Sequence, residues 1–234
     1  MMFINQNFFS TSIGMAVAVN IILPEGYKAG DGTKTLYLLH GHSDDYTAWS
    51  RYTSIERYAR EAGIAVVMPA ADKSFYLNII EGWPYWTYIS DELPKVIRNV
   101  YGLSDKKEDN FVAGLSMGGY GAMRHALVYP DRYFAVGSFS GALDILRHDR
   151  FADVKNTDGD LFWLLKKHFA EKTELPRIYQ YIGRQDFLYD SNTRFQDLLR
   201  DLSIPSEYVE EDGDHAWRYW DEQVKKFIPW ALEK

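Results

Sequence analysis

The chain has 234 residues, 46% of them apolar and 16% aromatic, with seven tryptophans, seventeen tyrosines and no cysteine. That length suits one sizeable α/β domain spanning residues 1–234, and 26 basic against 33 acidic side chains leave a net charge of −7, which argues against a nucleic-acid surface of clustered Lys and Arg. The absence of cysteine excludes a disulfide framework, a thiolate nucleophile and a Cys-ligated metal.

In chain order, Phe3 to Phe9 and Ser12 to Leu23 read as paired strands around a short Ser-Thr turn. The N-terminus lacks a basic segment ahead of its apolar stretch, and no run reaches the ~18 apolar residues of a membrane span. The expectation is a cytoplasmic protein with neither membrane nor nucleic acid as partner; self-association into a homo-oligomer is left open. After the Gly30-Asp31-Gly32 break, Thr35 to Leu39 is a continuous apolar strand of the kind buried on both faces. Thr53 and Glu56 have capping-box spacing for a helix that carries Ile55, Tyr58, Ala59 and Ala62 and stops at Gly63.

Ile64 to Met68 is a further buried strand. Asp91 to Val100 reads as a helix with Pro94 in its first turn. Strands at Phe111–Ala113, Phe134–Phe139, Ile178–Ile182 and Ile204–Val209 then alternate with helices at Met117–Val128, around Phe195 to Leu199, and at Ala216–Phe227. This alternation predicts a mostly parallel central sheet with helices on both faces and an antiparallel N-terminal edge. Residues 143–176 depart from it. They are charged and irregular around a helix at Leu161–Phe169, and are read as a lid, a cap or a solvated insertion.

Chemistry concentrates at Gly114-Leu-Ser-Met-Gly118. A strand ends at Ala113 and a helix begins at Met117, so Ser116 falls on the sharp strand-to-helix turn that exposes a nucleophilic hydroxyl. The helix N-terminus brings the Met117 amide and a positive dipole end to a developing oxyanion. An α/β-hydrolase orders its triad as Ser, acid, His. His125 lies inside the elbow helix, and His148 and His168 lie in the excursion. His215 alone follows the last strand, which makes it the general base. Asp186, just past the strand ending at Gly183, is the predicted acid, with Asp190 as competitor or helix N-cap. The turn at His40-Gly-His42 supplies the second oxyanion amide, that of His42.

The same turn carries a rival. His40, His42 and Asp44 have the His-x-His-x-Asp pattern of a dinuclear zinc hydrolase, which would need further ligands from the remaining histidines. A catalytically inactive binding protein on the same fold is the other alternative. Around the pocket, the aromatic run Gly82 to Tyr88 offers Trp83, Tyr85 and Trp86 for substrate binding, whereas Trp217, Trp220 and Val224 recur at helical spacing and read as core.

Leu38-Leu-His-Gly41, Gly114-Leu-Ser-Met-Gly-Gly-Tyr-Gly121, Ser138-Phe-Ser-Gly-Ala142 and Gly183-Arg-Gln-Asp-Phe-Leu188 together resemble the tributyrin-esterase branch of the esterase D family. The likeness runs from about residue 10 to the last helix. It implies an α/β-hydrolase fold and a serine carboxylesterase that needs no cofactor and no metal and takes a small-molecule ester of modest acyl size. Ser116, Asp186 and His215 match the family's triad, and the amides of His42 and Met117 its oxyanion hole. The family also includes S-formylglutathione hydrolases and feruloyl and acetylxylan esterases. The acidic His-Ser-Asp-Asp after Gly41 departs from its usual pattern.

Overall fold

Runs that are apolar on both faces can only be satisfied inside a sheet covered on both sides, and they assemble that way. In the computed structural model, which describes residues 1–78 and 83–233, the strands are β1 (Met2–Ser10), β2 (Met15–Leu23), β3 (Thr35–Leu39), β4 (Ala65–Pro69), β5 (Asn110–Leu115), β6 (Ala135–Phe139), β7 (Arg177–Gly183) and β8 (Ser206–Glu211). They form one sheet in the order β1-β2-β4-β3-β5-β6-β7-β8. Pairing is parallel from β4 to β8, and antiparallel for β1 with β2 and for β2 with β4. Every residue of β3, β4, β5 and β6 is buried, as a strand sandwiched between helix layers requires.

The helices are α1 (Ala48–Tyr52), α2 (Ile55–Ala62), α3 (Tyr85–Thr87), α4 (Leu93–Tyr101), α5 (Met117–Val128), α6 (Leu161–Glu171), α7 (Tyr189–Asp201) and α8 (Trp217–Leu232). One core lies on the α4, α5 and α6 side, around Tyr88, Tyr120, Met123 and Leu165; the other packs α2 and α8 on the opposite face, around Trp49, Phe139 and Phe227.

Three local expectations are corrected. The Thr53–Glu56 capping box does not form. Thr53 Oγ1 instead donates to the Trp49 carbonyl, closing α1, and the Ser54 amide at the start of α2 donates to Asp221 of α8 at 3.0 Å. The helix expected from Asp91 starts earlier, because α3 runs through a wider turn at Tyr88–Glu92 directly into α4. Pro94 therefore lies within a continuing helical path. It has no N–H to give the Ser90 carbonyl four residues back, and Arg132 Nη1 donates to that carbonyl at 2.9 Å.

The third concerns the 143–176 excursion, which is not a free lid. Ile145, Phe151, Val154, Leu161 and Leu165 are buried in the α5-side core. Tyr120 and Arg124 of α5 donate to the carbonyls of Gly159 and Asp158, Arg124 Nη2 pairs with Asp158 at 2.8 Å, and His168 Nε2 donates to the Leu127 carbonyl.

At the N-terminal edge, the turn between β1 and β2 is tied down by Glu92. Its carboxylate accepts from Ser10 Oγ, the Thr11 amide and hydroxyl, and the Ser12 amide at 2.6–3.0 Å. Those donors outweigh partial burial and hold its carboxyl down at about 2.

Candidate active site

Ser116 stands between β5 and α5 with φ 53° and ψ −117°, a conformation costly for any residue with a Cβ. Two backbone contacts hold it there: its amide donates to the Phe139 carbonyl at 2.9 Å, and its carbonyl accepts from Ala142 at 3.0 Å. The flanking glycines are steric necessities. A Cβ on Gly118 would sit 2.3 Å from the Leu39 carbonyl oxygen, and one on Gly114 would sit 2.4 Å from the Gly118 carbonyl oxygen. The turn thus brings α5 against β3, with the Met117 amide at the helix N-terminus free of any intrahelical acceptor.

His215 lies in the loop from β8 to α8. Its Nδ1 donates to Asp186 Oδ2 at 2.8 Å, and the Asp186 side chain is completely buried. The second carboxylate oxygen, Oδ1, accepts from the Leu188 amide at 2.8 Å. This holds the imidazole in the Nδ1–H tautomer and leaves Nε2 as a base. Phe187 and Trp220 pack on the ring, with centroids 4.5 and 4.8 Å away. Asp190, the competing carboxylate, is elsewhere: it lies inside the first turn of α7, exposed, 3.9 Å from Arg147. Nor does it cap the helix, because α7 begins at Tyr189 with Leu188 in the N-cap position, which leaves Asp190 already inside the helix.

The turn after β3 is organised by His40. Its Nδ1 donates to the Gly41 carbonyl at 2.7 Å, and its Nε2 accepts from the Ala71 amide at 2.9 Å. The Gly41 carbonyl and the His42 amide belong to one planar peptide group, so this bond sets the direction in which the His42 N–H points. Burial lowers the His40 pKa, which keeps the ring neutral as this bonding demands. With both nitrogens engaged, His40 has no lone pair for zinc, and the metal rival loses its first ligand. Among the described residues no three His, Cys, Asp or Glu side chains converge as a metal site.

The loop after β4 closes the same region. Asp72, Phe75 and Tyr76 all have left-handed backbone, at φ 43°, 52° and 51°. They are held by Arg124 donating to the Tyr76 carbonyl at 2.7 Å, Tyr76 donating to the His40 carbonyl at 3.0 Å, and the Phe75 amide donating to Met117 Sδ. Phe75 packs against the His42 ring at 5.5 Å.

Ser116 and His215 open into one cavity of about 330 Å³, lined also by Gly41, His42, Ser43, Asp44, Leu115, Phe187, Trp217 and Trp220. Burial raises the Asp44 carboxyl above its usual range. The His42 ring is pushed down, first by partial burial and then by Arg150 and Lys73. A larger hollow of about 680 Å³ lies at the other end of β7 and β8, lined by Phe169, Leu175 and Trp230. Its histidine, His168, is spent on the Leu127 carbonyl, so chemistry rather than size identifies the site.

The aromatic wall differs from the expected one. Trp83, Tyr85 and Trp86 do not line the cavity. Trp83 is exposed, Tyr85 donates to Asp72, and Trp86 lies 3.8 Å from the Arg124 guanidinium and stacks on Tyr129. Gly82, at the start of that motif, lies outside the described residues. The wall is instead Phe187, Trp217 and Trp220. Trp217 and Trp220 are therefore both packing and lining residues, since Trp217 also meets Trp49 edge-on and stacks on Tyr52. The signal for them was proximity to the acid and base in sequence.

The Esterase family model ("Putative esterase") matches residues 10–230. An acetyl esterase of Caldicellulosiruptor saccharolyticus is 29% identical, with 96% of each chain covered. Among solved structures, FphF, a fluorophosphonate-binding serine hydrolase of Staphylococcus aureus, is 37% identical at a TM-score of 0.91, covering 100% of this chain and 99% of the other. An S-formylglutathione hydrolase of Staphylococcus aureus is 36% identical at the same TM-score, with 99% of both chains covered. The fold is that of these α/β hydrolases, as expected.

Proposed function

The chain belongs to the Esterase family, and on that premise we propose that it is a serine carboxylesterase of the tributyrin-esterase type, acting on short-chain acyl esters through an acyl-enzyme. The observation that carries this reading is the convergence of Ser116 and His215 on one cavity, with His215 fixed by the buried Asp186.

In this mechanism His215 Nε2 takes the Ser116 proton as Oγ attacks the acyl carbon. The amides of His42 and Met117 receive the oxyanion. Collapse expels the alcohol, which leaves with the proton held by His215, and water repeats the sequence on the acyl-Ser116 ester. No step requires a cofactor. The cavity of about 330 Å³ is at the small end for ligand pockets, which run from about 300 Å³, and this supports acyl groups of about two to four carbons, each buried methylene adding about 0.8 kcal/mol until the wall is met.

A second reading, a thioesterase like the S-formylglutathione hydrolases, is favoured by the 36% identity to the staphylococcal enzyme. One panel separates them: kcat/KM for p-nitrophenyl acetate, butyrate, octanoate and palmitate, with S-formylglutathione and methyl ferulate alongside. A maximum at acetate or butyrate is expected. A maximum at octanoate or beyond refutes the short-acyl reading. S-formylglutathione exceeding every oxygen ester moves the assignment to thioesterase, and ferulate exceeding butyrate moves it to feruloyl esterase.

A further inference from the structure

The two edges of the sheet are built on opposite principles. β8 carries Glu207, Glu210 and Glu211 within six residues, the charged edge by which sheets avoid pairing with another chain. β1 is nine residues long, Met-Phe-Ile-Asn-Gln-Asn-Phe-Phe-Ser, with no charge and no proline. Among the described residues its only strand neighbour is β2, so among them its other side presents a row of amides and carbonyls without strand partners. Two of its outward rings, Phe3 and Phe9, are 42% and 65% exposed. Such an edge is a template for another extended strand.

The residue order says which strand. Around Gln6 the sequence reads the same in both directions by chemical type: Asn5 and Asn7 flank it, then Ile4 and Phe8, then Phe3 and Phe9. An antiparallel pair related by a two-fold axis at Gln6 would set Phe3 opposite Phe9 of the second copy, Ile4 opposite Phe8 and Asn5 opposite Asn7. Because side chains alternate faces with period two, each pair shares a face. Phe3, Asn5, Asn7 and Phe9 are exposed together on one side, while Ile4, Gln6 and Phe8 are half-buried on the other.

The outer face already holds an amide ladder: Asn7 Nδ2 donates to Asn5 Oδ1 at 3.2 Å, and Asn5 Nδ2 to Asn20 Oδ1 of β2 at 2.9 Å. The asparagines of a second copy would extend it. On the inner face, Tyr101 donates to Gln6 Oε1, and at one end Glu92 clamps the hairpin turn. The edge is thus held straight before any partner arrives.

From this we infer that β1 is a homodimer seam, joining two copies through antiparallel β1–β1 pairing centred on Gln6 into one continuous sixteen-stranded sheet. The inference stands apart from the proposed activity, since no residue of the site takes part.

The test uses the full-length protein at tens of micromolar in light scattering coupled to gel filtration, where a mass twice 27.2 kDa is expected. The double variant Asn5→Lys, Asn7→Lys sets like charges opposite each other on both sides of the seam's centre and should run as a monomer with its esterase activity retained. The chain has no cysteine of its own, so single cysteines report the register. Under mild oxidation Gln6→Cys should give a covalent dimer. Phe3→Cys alone should not, because the two copies of position 3 stand about 20 Å apart at ~3.3 Å per residue. Phe3→Cys mixed with Phe9→Cys should cross-link. A monomeric wild type, a dimer indifferent to the lysines, or Phe3→Cys cross-linking as readily as Gln6→Cys overturns the inference. Should the lysine variant fail to fold, the cysteine series decides alone.

Discussion

Replacing Asp186 by Asn tests the site through a single proton. In the native site Asp186 accepts twice, from His215 Nδ1–H and from the Leu188 amide, each at 2.8 Å. Asparagine has one acceptor and one donor end for these two donors. If its oxygen keeps the Leu188 amide, its NH₂ faces His215, which must then carry its proton on Nε2 and cannot act as base. If the amide flips, two N–H groups oppose each other in a buried position at a cost of about 1–3 kcal/mol. Either way the imidazolium formed during attack loses its negatively charged partner, at a cost of about 1.5–3 kcal/mol. For the flipped amide, the orientation that still leaves Nε2 as a base, the sum is about 2.5–6 kcal/mol, a fall in kcat of roughly 10²–10⁴-fold at about 1.4 kcal/mol per decade. The assay is steady-state hydrolysis of p-nitrophenyl acetate, with the rate of fluorophosphonate labelling of Ser116 measured in parallel. Asp190→Asn, on the exposed face of α7, should change either rate by less than about threefold, as surface changes do. A kcat for Asp186→Asn within tenfold of wild type, or a larger loss from Asp190→Asn, refutes the assignment of the acid.

Ser116→Ala should abolish labelling and cut turnover about 10⁴-fold or more; residual activity above a hundredth of wild type contradicts the nucleophile. His40→Ala should lower kcat about 10–1,000-fold with KM little changed, because it frees the peptide that aims one oxyanion donor; an equal rise in KM would assign His40 to substrate binding instead. Exhaustive chelation should leave the wild-type rate unaltered, and a rate restored only by zinc would revive the metal reading. Urea unfolding should show stability falling from pH 6.5 downward. Burial, with Arg124 and Arg132 adding to it, pushes His125 down to about 3, so between 6.5 and about 3 the unfolded chain binds a proton that the native state refuses, a slope of about 1.4 kcal/mol per pH unit for that group. A curve flat from pH 7 to 4 contradicts a neutral, buried His125.

The positions of Ser116, Asp186 and His215 around one cavity were legible because the proposed chemistry dictates order and position. A strained serine needs glycines two residues to either side, and the base must follow the last strand. The parallel strands were legible because β3 to β6 are buried on both faces and so carry unbroken apolar runs. Elements that depend on remote partners were not. α1 shows no apolar period; its Trp49 Nε1 donates to the Leu39 carbonyl, a contact no local pattern reveals. Trp86 reads as a pocket residue until Arg124, 38 positions on, is found beneath its ring. Trp217 and Trp220 have the spacing of core residues and are also the wall of the cavity, because α8 begins at the mouth of the site. Strand β8, expected at 204–209 and found at Ser206–Glu211, is polar and lies at the edge, where burial places few demands on sequence.

The anchored excursion has a consequence for how this enzyme can diversify. Segment 143–176 shares a core with α5 and is hydrogen-bonded to it at Tyr120, Arg124 and Leu127, so exchanging it wholesale would dismantle the helix that positions Ser116. Variation in substrate range is thereby steered toward single side chains at the cavity mouth. Phe187, 76% exposed, and the half-buried Asp44 can change size and charge without disturbing any packed layer. A lineage built this way would alter its ester preference by point substitution while its backbone stayed the same.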